Sequence, residues 1–123
     1  MVLKLRCRMI TARKYHHMAL FGTKLMVTGG LINDTSSDDV GEVTNDCELY
    51  DPETDSWHRM PPMNEKRQRH AAVEVKGNIL YVFGGVNTEH LNSIEMYTRQ
   101  SWTTIMTEVK FSPRKDLGVV EIG

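Results

Sequence analysis

A set of landmarks recurs along the chain in one order. An arginine (Arg13, then Arg67) is followed by a lone glycine (Gly22, Gly77), a diglycine (Gly29-Gly30, Gly84-Gly85), a Glu-x-Tyr triplet (Glu48 to Tyr50, Glu95 to Tyr97) and a tryptophan (Trp57, Trp102). The diglycine comes seven residues after the lone glycine both times, while the tryptophans are 45 residues apart and the arginines 54. Arg114 and Gly123 begin the series again. Fixed order with variable spacing is what strands joined by loops of different length produce. A repeat of this period is a supersecondary unit that buries its apolar face only by stacking on a neighbour.

Each unit reads as four strands. In the second they are "HAAVEV" (His70 to Val75), "ILYVF" (Ile79 to Phe83), "SIEMY" (Ser93 to Tyr97) and "SWTTI" (Ser101 to Ile105). The first unit supplies "HHMALF", "KLMVT", "DCELY" and "SWHRM". Gly77 permits the positive φ of a tight hairpin. In "DPETDS", Pro52 presets φ and Asp51 can hold the turn through its side chain. No segment shows a sustained apolar pattern at helical period with caps, so the fold class is all-β.

Arg67, "HAA", Gly77, "LYVFGG", "IEMY" and Trp102, with their counterparts in the first unit, resemble the kelch repeat. Pro62-Met63 between tryptophan and arginine is similar to kelch proteins of the BTB–kelch type. The resemblance implies a partial kelch β-propeller: two four-stranded antiparallel blades plus the first strand of a third. Its divisions are a lead-in over 1–12, repeat 1 over 13–60 with a long acidic loop at 31–46, repeat 2 over 61–108, and a truncated third repeat over 109–123. The second unit departs from the pattern, since "YTRQSW" is two residues shorter than "YDPETDSW" and "MTEVKFSPR" lacks Pro-Met. A less regular turn is expected there.

In a blade the diglycine allows close backbone approach and a positive-φ exit from the strand. Tyr50, Tyr97, Trp57 and Trp102 are expected to fill the wedge between blades, each with a polar tip that needs a partner. Glu48 and Glu95 share a strand face with the tyrosines. A buried carboxylate must be paired, and a planar guanidinium can hold one at two points. Arg67 with Glu48 and Arg67 with Glu95 are both open on this reading. Trp57→Ala is expected to cost about 3–5 kcal/mol. Two blades would leave two apolar faces bare, so the chain is expected to be part of a longer propeller, marginally stable alone, or self-associated through those faces.

The net charge of −1 offers no electrostatic lure for nucleic acid or anionic membrane. No apolar run approaches the ~20 residues of a spanning helix, and the N-terminus lacks the apolar core of a secretory leader. A cytoplasmic location is the expectation. Cys7 and Cys47 show no metal or redox spacing and read as unpaired thiols. His16 and His17, adjacent on a strand, point to opposite faces and cannot chelate together. No nucleophile–base pair is recognisable, so neither an enzyme nor a cofactor is expected.

The connections after the second and fourth strands are long and share one face, where partner binding is expected. The first is acidic, with Asp34, Asp38, Asp39, Glu42 and Asp46 and no basic residue. It reads either as a solvated insertion or as a contact for a basic partner segment. Removing residues 34–45 should then spare the fold. A calcium loop fails on ligand register. Arg69 lies two residues beyond Arg67, and Tyr15 and Asp116 hold the same place in the other units. The resemblance implies that this position lies at the mouth of the central channel, where arginine and aromatic anchors suit peptide recognition. It further implies a substrate-recognition part of a cullin-3 ubiquitin-ligase adaptor, reaching cullin-3 only through a BTB domain outside this sequence. An actin-binding scaffold is the alternative, and a fragment of a kelch-type copper oxidase a more distant one.

Overall fold

The structure is a computed structural model that describes residues 8–33 and 41–105. Two four-stranded antiparallel sheets and a two-stranded ribbon account for its ten strands. The first sheet is ordered β1 (His17–Phe21), β2 (Lys24–Thr28), β5 (Cys47–Asp51) and β6 (Ser56–Met60). The second is β7 (Ala71–Val75), β8 (Ile79–Phe83), β9 (Ile94–Thr98) and β10 (Ser101–Ile105). The eight strands of the two sheets each lie within one residue of their place in the sequence pattern. Each sheet is a plain meander, so the two repeats become two blades of a partial all-β propeller. The expected third-repeat strand, with Asp116, lies outside the described residues.

Period-two alternation divides each sheet into two faces. Pairing sets Leu25 opposite Tyr50 and Tyr50 opposite Trp57, and in the second sheet Leu80 opposite Tyr97 and Tyr97 opposite Trp102. The core between the sheets joins Tyr97, Trp102, Leu80, Val82 and Ala72 of the second sheet to Met26 and Cys47 of the first, with Ala19, Phe21, Leu49 and Met60 packed against them. Phe21 meets Tyr97 edge-on at 5.6 Å between ring centroids, and β1 lies beside β7. Tyr97 and Trp102 therefore fill the wedge as expected. Tyr50 and Trp57 stack at 5.1 Å on the other face of the first sheet, where Tyr50 is buried and Trp57 half-buried. Which face becomes internal depends on which neighbour stacks there, and the strand pattern is the same either way.

Met63 is also in this core, 1% exposed, and Trp102 Nε1 donates to Pro61 O at 2.8 Å. The Pro-Met stretch thus crosses from one blade to the next and closes their seam. Cys47 is a free thiol, and burial pushes its pKa up to about 12, so it stays protonated and unreactive.

Two turns show how local chemistry and pairing share control. In the first unit Asp51 Oδ1 accepts the Glu53 N–H at 3.0 Å, as its turn requires. In the second, Thr98 pairs with Ser101 across a two-residue loop. Arg99 and Gln100 are both left-handed there, at φ 52° and 64°. That is the regular geometry of a two-residue hairpin. The expected irregularity lies in the residue types, which lack the usual Asn-Gly, and not in the backbone; cross-strand pairing imposes the conformation.

Candidate protein-binding face

The repeat arginines build the floor of this face. Arg67 Nη2 donates to Glu95 Oε2 at 2.8 Å and to Ser93 Oγ at 3.0 Å, while Nη1 reaches the carbonyls of Gly84 and Ser93, both at 3.2 Å. Both side chains are fully buried. Glu95 also accepts the N–H groups of Asn64 (2.5 Å) and Glu65 (3.0 Å). The first unit repeats the arrangement: Arg13 Nη2 donates to Glu48 Oε2 (2.5 Å) and Asp46 Oδ2 (2.7 Å), and Glu48 accepts from the N–H groups of Ile10 and Thr11. Each arginine therefore takes the glutamate of its own repeat. Arg67–Glu48 does not form, because Glu48 is already held by Arg13. With both lone-pair sets engaged, these carboxylates are structural and not positioned for acid–base work.

The diglycines exist because of what lies against them. Gly85, at φ 85°, faces the carbonyl of Gln68: an added Cβ would sit 2.5 Å from it and 2.9 Å from His70 Cβ. Gly29 faces the carbonyl of Arg67 in the next blade just as closely, and the Gly30 N–H donates to that same carbonyl at 2.9 Å. Close approach and positive φ coincide, so no other residue fits without displacing backbone.

This packing turns the chain sharply at Tyr15 and Arg69, both left-handed at φ 58° and 53°. Non-glycine residues in this region are uncommon and gather at functional sites. The structure brings the two together: the Arg69 guanidinium lies 3.8 Å over the Tyr15 ring, the Arg69 N–H donates to Tyr15 O at 2.8 Å, and Lys14 Nζ sits 5.3 Å from the same ring. Arg69 is half-buried and not the fully exposed anchor that the sequence pattern implied, because stacking on the neighbouring blade's tyrosine covers one side.

The acidic connection rises beside this pair. Leu31 exchanges backbone hydrogen bonds with Lys14 at 2.7 and 3.1 Å. The chain then forms a ribbon of β3 (Leu31–Ile32) and β4 (Glu42–Val43). Glu42 is exposed on that ribbon; Asp34, Asp38 and Asp39 lie outside the described residues. The ribbon was missed because two-residue strands carry no readable alternation. Its return limb is structural. Thr44 O accepts the Arg67 N–H at 3.3 Å, and Asn45 exchanges bonds with Met63, N–H to Asn45 O and Asn45 Nδ2 to Met63 O, both at 2.9 Å. Removing residues 34–45 would cut these inter-blade bonds, so the neutral cut is narrower than the sequence implied. Deleting residues 34–40 joins Asn33 to Gly41 between the paired Ile32 and Glu42. That leaves an Asn-Gly two-residue hairpin, and Asn33 already sits at φ 58°. The expected thermal midpoint lies within ~3 °C of the parent, corresponding to about 0.5 kcal/mol; a larger fall in a melting curve would show that the excised tip supports the fold.

Histidines line the seam below the face. His70 is buried and bonds Thr28 Oγ1 across the blades at 2.7 Å through Nε2, with His17 6.2 Å away. Burial first, then the charge of Arg67 and of His17 and His16, holds His70 well below the usual pKa of 6.5. Burial also lowers His17, and burial with the Arg13 charge lowers His16. The folded chain keeps the His70 ring neutral, whereas the unfolded chain protonates it near pH ~6.5. Stability is thus full above that pH and falls as pH drops below it, by up to ~1.4 kcal/mol per pH unit for His70. Urea midpoints at pH 8, 6.5 and 5.5 should decline in that order, and His70→Gln should flatten the decline; an unchanged slope in that variant would refute the assignment.

Among the described residues no group of three or more His, Cys, Asp or Glu side chains converges as a metal site, and no helix is long and apolar enough to cross a membrane. The family model of the KLHDC2/KLHL20/DRC7 Kelch-repeats domain matches residues 2–122. The chain belongs to the kelch-repeat family. Its kelch blades are similar to human Kelch-like protein 7, 42% identical over 55 residues, 45% of this chain and 9% of that protein. They are similar to Kelch repeat and BTB domain-containing protein 12 of Danio rerio, 32% identical over 94 residues, 68% of this chain and 15% of that protein. Alpha-scruin of Limulus polyphemus is 32% identical over 83 residues, 68% of this chain and 8% of that protein. The chain therefore spans less than a sixth of these relatives. A kelch module of this kind is a protein-interaction unit.

Proposed function

We propose that this kelch module forms part of the substrate-recognition propeller of a BTB–kelch adaptor for a cullin-3 ubiquitin ligase, with repeat units at 13–60 and 61–108 and a third opening at 109–123. Likeness to a protein named for both kelch repeats and a BTB domain supports the adaptor reading. The partner is a peptide segment, met by Tyr15 and Arg69, by Asp116 at the same repeat position, and by Asp34, Asp38, Asp39 and Glu42 of the acidic connection. The observation that carries the reading is the stacked Tyr15–Arg69 pair, two left-handed residues from neighbouring blades on the face opposite the short turns. Aromatic and arginine anchors dominate peptide affinity, at ~2 kcal/mol or more each.

Affinity capture from cells, with wild type, Tyr15→Ala and Arg69→Glu compared, tests it. Bound partner should fall about 30-fold or more in either variant while the circular dichroism spectrum is kept. Equal capture by all three would remove the face from consideration. Recovery of cullin-3 with the full-length gene product supports the adaptor reading; cosedimentation of the purified chain with filamentous actin, without cullin-3, would favour the scaffold alternative.

A further inference from the structure

At the binding face the blades are latched by one short stretch. Arg67, Arg69 and His70 each bond the first blade, while Gln68 between them pairs with Val86 of its own. The Arg67 N–H donates to Thr44 O at 3.3 Å, and its carbonyl accepts the Gly30 N–H at 2.9 Å. The Arg69 N–H donates to Tyr15 O at 2.8 Å, and His70 Nε2 bonds Thr28 Oγ1 at 2.7 Å. None of these residues belongs to the apolar core that joins the two sheets. The latch can therefore open while that core stays packed.

His70 is the member that cannot carry a charge where it stands. It is 6% exposed, and its Nδ1 is buried without a partner. The ring packs against bare backbone: a Cβ added at Gly29 would lie 2.9 Å from His70 Cε1 and 3.0 Å from Met63 Cε. A side with no room for a methyl has none for a water. The charged and titratable groups that act on the ring are Arg67 on its own stretch and His16 and His17 on the neighbouring blade, all of them basic. Glu48 acts on His16 instead. Among the described residues no carboxylate pairs with His70. A cation buried among bases, without water or counter-ion, is not held. A proton on this ring is accommodated only when the ring leaves the seam. Its departure breaks the Thr28 bond and pulls on the Arg69–Tyr15 bond one residue away.

We propose that His70 makes this latch proton-operated: acid releases the 67–70 stretch from the first blade and parts Tyr15 from Arg69, while both sheets and their shared core stay folded. As regulation of the binding face, the device rests on the function proposed above; as a motion of the chain, it does not. An open latch frees one imidazole to titrate near pH ~6.5, so the opening constant should rise about tenfold between pH 7.5 and pH 5.5.

Amide hydrogen exchange of the full chain, followed by NMR without any partner and corrected for the intrinsic rate at each pH, tests this. The Gly30, Arg67 and Arg69 amides report the latch; those of β2, β5, β8 and β9, the inner strands of their sheets, report the blades. Latch amides should be at least tenfold less protected than inner-strand amides at pH 7.5, and about tenfold less again at pH 5.5. In His70→Gln, whose amide can keep the Thr28 bond but takes up no proton, latch protection should be the same at both pH values. Should that variant lose its sheet spectrum, Thr28→Val replaces it and should lower latch protection at pH 7.5 while the inner strands keep theirs. Latch and inner-strand amides exchanging at one common rate would overturn the proposal, because the stretch would then open only with the whole fold. So would a tenfold pH effect that persists in His70→Gln, or latch protection unchanged in Thr28→Val. Failure to capture a partner at pH 7.5 would count against the binding face alone, since the exchange rates involve no partner.

Discussion

Arg67→Met is expected to destabilise the fold by about 3–5 kcal/mol, as removal of one member of a buried ion pair does. The substitution keeps most of the side-chain volume and removes all donors. Glu95 would retain only the Asn64 and Glu65 N–H groups, and the Gly84 and Ser93 carbonyls would lose a partner inside the protein. A charge left in low dielectric without its counterion is the larger part of the cost. Adding Glu95→Gln removes that charge, but its one side-chain oxygen accepts from only one of the Asn64 and Glu65 N–H groups, so the double variant should recover only about 1 kcal/mol relative to Arg67→Met alone. Urea unfolding followed by circular dichroism reads both steps. A loss below ~1 kcal/mol in the single variant, or no recovery in the double, would mean that the pair carries little of the fold.

Trp102→Ala should cost a similar amount, about 3–5 kcal/mol. The indole is buried in the inter-blade core against Tyr97, at 5.1 Å between centroids. Truncation would open a cavity where both blades must hold their positions, and it would orphan the Pro61 carbonyl. Trp57 occupies the same repeat position but is half-buried. Trp57→Ala should therefore cost less, about 1.5–3 kcal/mol. Equal losses at the two tryptophans in parallel urea titrations would show that the two sheet faces are equally covered in solution. The repeat pattern alone assigns both residues one role; burial separates them.

Much of the site was legible in the same uneven way. Tyr15 and Arg69 could be singled out because both follow a repeat arginine by two residues. Their stacking could not, because it joins residues 54 apart in the chain through a blade-to-blade contact. The acidic connection was visible as composition, yet its return limb, Thr44 and Asn45, looks like any loop until its bonds to Arg67 and Met63 are seen.

Strand positions, sheet order and the presence of a buried arginine–glutamate couple per repeat were fixed by local alternation and by repetition, since period-two patterning and the need to pair a buried charge hold wherever the strand is placed. Only the tertiary structure decided which glutamate each arginine takes, which tryptophan lies in the seam between the two described blades, and that Arg99-Gln100 forms a left-handed turn. Those outcomes depend on distances between residues far apart in the chain, and a linear pattern of residue types contains no through-space distance.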